Sequence, residues 1–424
     1  MSALADRLAP WRFVAAYLRT RWLARRLRTR DDVMAWQSGR LASWQRRVLA
    51  RVPFYRERAK GPFDALPVTD KAMVMADFAA FNRAGVTAEA GWAAFSGTGR
   101  VGRHIVGAST GTSGNRGLFV ISEAERWEWL GVIVAKTLGR LTRARVALIL
   151  PLNTRLYDAA GRSGFITLRF FDLNRGLDAI AGEVADFAPD SVIAPPKVLR
   201  HLVETGVAIR PGRVFSGAEV LDPLDREVIE RGFGVTVREI YMATEGLFGV
   251  ACAHGTLHLC EDAVKFEFEP VAGSELVVPL VTDFTRTTQA MARYRMNDLL
   301  RLSPEPCACG SPLQAVAAIE GRRDDMLILA GPGGEVVVTP DVLRNAIVDA
   351  DRRIGDFRLV QTGPGELDLT LLEAVPVAAA EAAQQALTRL FGRLGAPVEL
   401  RLARVAAFAL TARKLRRVER RVGD

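Results

Sequence analysis

From Ser122 onward the chain alternates between short, almost purely apolar runs and longer stretches whose apolar residues recur every three or four positions. SEAERWEWLGVIVAKTLGR (122–140) has the helical period, and RVALILPL (145–152) and SGFITLRFFDL (163–173) read as strands. LDAIAGEVADF (177–187) is helical, DSVIAPP (190–196) a strand, and PKVLRHLVETG (196–206) a helix closed by Gly206. RVFSGAEV (213–220), LDPLDREVIERGFG (221–234) and VTVREIYMATEG (235–246) continue as strand, helix and strand. Strands alternating with helices of ten to fifteen residues predict parallel α/β layers, with ligands outside the carboxyl ends of the strands.

The pattern changes twice. EDAVKFEFEP (261–270), SELVVPLVTDF (274–284) and ARYRMNDLLRL (292–302) predict antiparallel strands and a β-rich subdomain. Beyond GRRDD (321–325), the stretch GPGGEVVVTP (331–340), the helix DVLRNAIVDADR (341–352), the strands FRLVQTG (357–363) and ELDLTLLEA (366–374), the Ala-rich helix 378–395 and the strand VELRLARV (398–405) predict a small α+β unit. At 424 residues the chain is long for one core. The fold class expected is α/β: a large N-terminal domain (1–322) of parallel layers plus the β-rich subdomain, and a mobile α+β C-terminal domain (323–424).

At the start, WRFVAAYLRTRW sets Trp11, Val14, Ala15, Leu18 and Trp22 on one helix face and Arg12, Arg19 and Arg21 off it. This reads as a basic amphipathic helix packed on its own domain, with a membrane-surface helix as the alternative. Thr69 or Asp70 caps a helix after LPV (66–68).

The net charge of +9 is unevenly spread. Residues 1–60 carry 15 Lys/Arg against 4 Asp/Glu, and residues 401–424 carry 8 against 2, which leaves the middle acidic. A nucleic-acid channel through the core is therefore not expected. A basic edge is, suited to an acidic protein, a polyphosphate or a membrane surface. No apolar run is long enough to cross a bilayer and the first residues lack a signal-peptide core, so a cytoplasmic location is expected.

Chemistry concentrates in four places. GASTGTSGNRG (107–117) lies between two strand-like runs and holds four glycines. It lacks the lysine of a phosphate-binding P-loop, yet its unobstructed N–H groups, with the hydroxyls of Ser109, Thr110, Thr112 and Ser113, form a nest for phosphate oxygens. YMATEG (241–246) ends a strand with a hydroxyl and a carboxylate suited to a divalent cation and a phosphate. In RYRMNDLLRL (293–302), Asp298 is placed to accept ribose hydroxyls, and GRRDD offers arginines and acids at the domain junction. All four cysteines (252, 260, 307, 309) and two of the four histidines (254, 258) fall within 58 residues. Two pairs of soft ligands suit a closed, structural zinc site, and unliganded thiols are the alternative. No base accompanies Cys260 to make it a nucleophile. His104 and His201 read as structural residues, and Tyr241 either stacks on adenine or is a core aromatic.

The ordered set STGTSGNRG, SGAE (216–219), YMATEG, RYRMND, GRRDD and TARKLRR (411–417) resembles the adenylate-forming superfamily of acyl- and aryl-CoA ligases. The nearest branch is that of phenylacetate-CoA ligases and of the synthetase that adenylates a deazaflavin cofactor. RVPFYRERA (51–59), LPVTDKAMV (66–74) and CACGSPLQAVAAIEGRRDDML (307–327) resemble that branch too. The resemblance implies ATP and Mg²⁺, with Ser109, Thr110, Gly111, Thr112, Ser113 and Gly114 around the ATP phosphates. Ser216, Gly217, Ala218 and Glu219 would line the adenine side, beside Tyr241, Met242 and Ala243. Thr244 would touch phosphate, Glu245 would hold Mg²⁺, and Asp298 and Arg322 would meet the ribose. Asp324 would be the hinge and Lys414 the catalytic lysine brought to the substrate, its alternative being one charge of a solvated tail. Cys252, His258, Cys307 and Cys309 would be the zinc ligands. Two positions depart from the pattern: Asn115 stands where a lysine is common, and Arg413 where glycine is usual before the lysine.

The implied activity is adenylation of a carboxylic acid, an aromatic one of the 4-hydroxybenzoate type, followed by acyl transfer to the thiol of CoA or of an acyl carrier protein. Adenylation of a phenolic hydroxyl and a non-catalytic nucleotide-binding role are the alternatives, and a homodimer is a further implication of the branch.

Overall fold

The computed structural model describes residues 9–109, 116–140, 143–150, 166–408 and 416–421. Of the candidate site residues, Thr110, Gly111, Thr112, Ser113, Gly114 and Lys414 lie outside the described residues.

Among the described residues, a twelve-stranded mixed sheet forms the body. Its parallel part runs β5 (Ile166–Asp172), β4 (Ala144–Leu150), β6 (Ser191–Ala194), β7 (Arg213–Gly217) and β8 (Val237–Ala243). The antiparallel strands β9 (Gly246–Ala251), β10 (Leu257–Leu259), β15 (Ala315–Arg322), β14 (Asp298–Leu302), β12 (Leu276–Asp283) and β11 (Val264–Pro270) follow across the sheet, and β13 (Tyr294–Arg295) pairs with β12. The antiparallel strands expected over 261–330 are therefore present and continue the parallel layer through β8, β9 and β10 as one sheet. Helices Leu177–Phe187, Pro196–Glu204 and Pro223–Phe233 follow β5, β6 and β7, the alternation read from the sequence.

The first helix, Ala9–Arg26, crosses Glu123–Thr137 at close range. A Cβ on Gly131 would stand 2.4 Å from the Phe13 carbonyl oxygen, so only glycine allows that approach. The face laid on the body carries Ala16, Tyr17, Thr20 and Leu23. This corrects the sequence expectation, since the ridge of Trp11, Val14, Leu18 and Trp22 points outward. The buried face is made of small and mid-sized residues that permit the close crossing, and the larger indole-bearing face is left to solvent.

The glycine loop joins two strands of a three-stranded sheet, β2 (His104–Ala108) and β3 (Leu118–Ile121), with β1 (Arg100–Val101) at the edge. Gly107 sits opposite Phe119, and a Cβ there would fall 2.2 Å from the ring.

Residues 327–405 and 416–421 build an apolar core of their own around Ile347, Phe357, Leu369, Leu387 and Phe391. It holds the hairpin β16 (Leu327–Gly331)–β17 (Gly334–Val338), and a sheet ordered β20 (Glu399–Val405), β19 (Glu366–Leu372), β18 (Phe357–Gly363), β21 (Val418–Arg420). Helices Pro340–Val348 and Val377–Arg393 complete the unit. Ion pairs tie it to the body: Arg301 to Asp341 at 2.6 Å, Arg344 to Glu320 at 3.1 Å, and Arg417 to Asp225 at 2.8 Å.

Candidate functional site

A cavity of about 220 Å³ opens where β7 and β8 end and the C-terminal unit meets the body. It gathers Ser109, Ser216, Ala218, Glu219, Tyr241, Met242, Ala243, Thr244, Glu245, Asp298 and Arg322, residues spread over about half the chain. Gly217 lies on the other side of β7, because successive strand residues face opposite ways, and lines an apolar cavity behind the sheet. Asp324 is outside the cavity; its Oδ2 accepts from Asn297 Nδ2 at 2.6 Å in the turn after β15.

Two carboxylates of the site are each held by a tyrosine. Tyr241 donates its hydroxyl to Asp298 Oδ2 at 2.8 Å, and Tyr294 donates to Glu245 Oε1 at 3.0 Å. Burial, reinforced by the carboxylates, pushes both phenols well above their usual range, so both remain donors. Tyr241 packs on Phe248 in the core, and its polar end orients Asp298.

After β7 the chain turns through Ala218, whose φ of +68° is unusual for a residue with a side chain. That turn borders both the first cavity and a second. Ser216 is 1% exposed, and its hydroxyl has no partner among the described residues, an orphaned polar group at the cavity that a ligand would satisfy. Glu219 is paired with buried Lys197 at 3.0 Å.

Sequence reasoning missed four cations here. Lys71, from LPVTDKAMV, lines the first cavity, and its stem runs beside Gly117 at the end of the glycine loop, 3.4 Å from where a Cβ would be. Arg286 donates to the Thr244 carbonyl at 3.1 Å. Arg416 and Arg417 line the cavity from the C-terminal unit and are turned inward, Arg416 onto Asp325 at 2.9 Å and Arg417 onto Asp225. These two arginines of the basic tail are therefore not simply solvated charges. LPVTDKAMV carried the signal for Lys71; nothing local marks the partners of the arginines.

The second cavity, about 260 Å³, shares Ser109, Ala218, Glu219, Met242, Ala243 and Thr244 with the first. Phe119, Ile121, Trp129, Val132 and Leu247 make its walls apolar, and Arg19 and Glu128 stand among its lining. Cys260 also borders it; burial pushes this thiol up to about 12, so it keeps its proton, in line with its reading as no nucleophile. Behind it lies the third cavity, about 390 Å³, almost wholly apolar and bordered by Phe13, Trp127 and Phe215.

Away from these cavities, the ligand atoms of Cys252, His258, Cys307 and Cys309 lie within 4.8 Å of one another. The sulfurs of Cys252 and Cys307 are 3.8 Å apart, and Cys309 Sγ is 3.3 Å from His258 Nε2. A tetrahedral zinc with Zn–S bonds of about 2.3 Å needs edges of roughly 3.8 Å, so the spacing fits. His258 Nδ1 faces the Leu313 carbonyl at 3.1 Å, which directs Nε2 to the thiols as a ligating histidine requires. His254 is outside this cluster.

The geometry is therefore a polar, cation-rimmed cavity continuous with an apolar one, between a large α/β body and a small α+β unit. No family model matches the chain. The phenylacetate-coenzyme A ligase of Escherichia coli K12 is 30% identical over 207 residues, 44% of this chain and 45% of that protein. The Thermus thermophilus ligase of the same name is 26% identical over 204 residues, 44% of this chain and 45% of that protein. The 2-hydroxyisobutyryl-CoA ligase in its postadenylation state superposes with a TM-score of 0.69 at 18% identity, covering 93% of this chain and 91% of that one.

The chain is thus similar in sequence, over part of its length, to phenylacetate-CoA ligases, and its fold is like that of 2-hydroxyisobutyryl-CoA ligase. The sequence match spans a little under half the length of the curated relatives, whereas the likeness of fold to an adenylate-forming ligase spans nearly all of both chains. Among the described residues, no helix is long and apolar enough to cross a membrane.

Proposed function

We propose that the protein activates a carboxylic acid with ATP, releasing pyrophosphate, and passes the acyl group from the acyl-adenylate to a thiol. The observation that carries this reading is the junction of the two cavities at Ala218 and Thr244: one polar and flanked by cations, the other apolar and sized for an acid's body.

In this reading Ser109 and the loop 110–117, with Lys71, hold the phosphates through N–H groups and charge. The carboxylate of Asp298, fixed by Tyr241, accepts from the ribose hydroxyls, with Arg322 beside it. Ser216, Ala218, Glu219, Met242 and Ala243 border the nucleotide, and Gly217 supports that turn from behind. Glu245, held by Tyr294, is the ligand for Mg²⁺, which when bound neutralises charge on the phosphates. Thr244 donates to a phosphate oxygen. The acid lies with its body against Trp129, Val132 and Leu247 and its carboxylate toward Thr244.

The carboxylate oxygen attacks the α-phosphorus as the bond to pyrophosphate breaks. Charge then grows on the oxygens being transferred and lost, and Lys414 stabilises it from the C-terminal unit. Residues 1–322 form the adenylation domain and 323–424 a lid turning about Asp324, whose rotation exchanges the lysine for the thiol. The likeness to the postadenylation state of 2-hydroxyisobutyryl-CoA ligase (TM-score 0.69), against 0.54 for its thioesterification state, supports an adenylating arrangement of the two units.

An aromatic acid of the 4-hydroxybenzoate type is the first candidate, given the aromatic and aliphatic walls. CoA is the favoured acceptor because the named relatives are CoA ligases, with an acyl carrier protein as the second to test. Cys252, His258, Cys307 and Cys309 would hold a structural zinc, pinning the β9–β10 turn to the 307–309 turn, since four protein ligands leave it no position for substrate. Cysteines that form no disulfide among the described residues, and a reaction fed by ATP, fit the cytoplasm.

The test is incubation with ATP, Mg²⁺ and a panel of aryl and alkyl acids while pyrophosphate is followed. Release with at least one acid, and then a thioester with CoA or a carrier, is expected; no release with any acid would refute the proposal.

A further inference from the structure

The helix Ala9–Arg26 has a second apolar face that the other described residues leave exposed. Trp11, Val14, Leu18 and Trp22 are 70, 37, 58 and 54% exposed. At about 100° per residue these four fall within an arc of roughly 80°. By the same geometry Arg12, Arg19 and Arg26 flank the ridge on one side and Arg21 on the other, with Arg25 at its end.

The strip continues onto the next helix, Arg30–Arg47. Trp22 meets Trp36 edge-on at 6.5 Å, Met34 is exposed, and Arg40 stands over Trp36 at 5.7 Å. Burial, together with the like charges of Arg19 and Arg47, holds the Arg40 guanidinium below its usual range, in spite of Glu128 nearby. Arginines are thus crowded together beside an uncovered aromatic ridge.

We propose that this ridge docks, lying in plane, on an anionic membrane surface. The ridge is convex: none of its four apolar residues lines a cavity described above. A headgroup boundary receives such a ridge directly, with tryptophan at the interface and arginine on phosphate. A second copy of the chain would set arginine rows against arginine rows. An acidic protein would match the charge but would need a recess for two indoles and a leucine. The helix also lends Arg19 to the second cavity and Phe13 to the third, so docking brings both within about 12 Å, one helix diameter, of the lipid. An acid poorly soluble in water would then reach its pocket from the membrane.

The test is sedimentation of the full chain with vesicles of about 30% phosphatidylglycerol in phosphatidylcholine, against phosphatidylcholine alone. At least about tenfold stronger partition to the anionic vesicles is expected, weakened by salt at about 0.5 M, with tryptophan emission quenched by brominated acyl chains. Leu18→Glu with Trp22→Glu should lower partition at least about tenfold, and Arg25→Glu with Arg26→Glu should remove the preference for anionic lipid. All four side chains are solvent-facing, and an unchanged melting temperature checks that the variants fold. Equal partition to both vesicles, or unchanged binding by the ridge variant, would overturn the proposal. So would a dimer in solution that Leu18→Glu dissociates, or a complex with an acyl carrier protein that needs the ridge while vesicles do not bind.

Discussion

Arg417 and Asp225, 192 positions apart, meet in a buried two-pronged ion pair: Nη1 reaches Oδ2 at 2.8 Å and Nη2 reaches Oδ1 at 2.9 Å. Arg417 also faces Asp356, and Asp225 also receives Arg200, so one cluster joins β21 to the helix that follows β7. Burial works against the Asp225 charge, yet the two arginines overcome it and hold the carboxyl below its usual range. The pair stands three residues beyond Lys414 in the chain and anchors the C-terminal unit to the body at that point.

Breaking that cluster should loosen the junction between the units. Asp225→Asn leaves Arg417 buried without its main counter-charge, a change that costs about 3 kcal/mol or more. The expected result is a lower melting temperature and a fall in adenylate formation, with zinc content unchanged. Calorimetry and pyrophosphate release on the same preparation check it.

Lys71 stands beside Gly117 at the end of the glycine loop, which lacks the lysine of a P-loop. Lys71→Ala should raise the KM for ATP about tenfold to a hundredfold, the worth of one charge-assisted hydrogen bond. The KM for the acid should change little. Steady-state kinetics with each substrate varied in turn separates the two effects.

The cysteine cluster should carry one zinc per chain, measured by elemental mass spectrometry on protein purified without chelator. Cys252→Ser or His258→Ala should lose the metal and lower the melting temperature, because the ligands bridge segments about fifty residues apart. The KM for ATP of the surviving folded protein should stay near that of the wild type.

Asp325 gives stability a dependence on acid pH. Burial, only partly offset by Arg416 and Arg322, raises its pKa from 3.8 to about 6. The folded protein thus binds a proton that the unfolded chain has released, and this group's contribution to stability falls as pH rises from about 4 to about 6, then levels. Asp325→Asn should flatten that part of the profile, as read from denaturant midpoints between about pH 4 and 7.

Much of the architecture was legible in local pattern. The helix 123–137 begins at Ser122 with a capping box to Glu125, and the Asp70 carboxylate caps Lys71–Ala76 as one of the two expected residues. The site motifs were legible as well, since each is a short strand end or turn with its chemistry written into consecutive residues. What the sequence hid is long-range. Lys71 reaches the glycine loop from another segment, Lys197 finds Glu219, and Arg417 finds Asp225, with no local period to announce any of these contacts. The first helix misled for a related reason. Both its faces are apolar enough to pack, and only the close crossing at Gly131 decides which one does.

The central claim is that a cation from residue 414 completes an adenylating site whose phosphate- and ribose-binding residues lie on the body. Acid-dependent exchange of labelled pyrophosphate into ATP, compared between the wild type and Lys414→Ala, tests it most directly. Exchange by the wild type with an apolar acid, reduced by about 10²–10³ in the variant with its melting temperature unchanged, is the result predicted. Exchange that is absent with every acid, or equal in the two proteins, would contradict it.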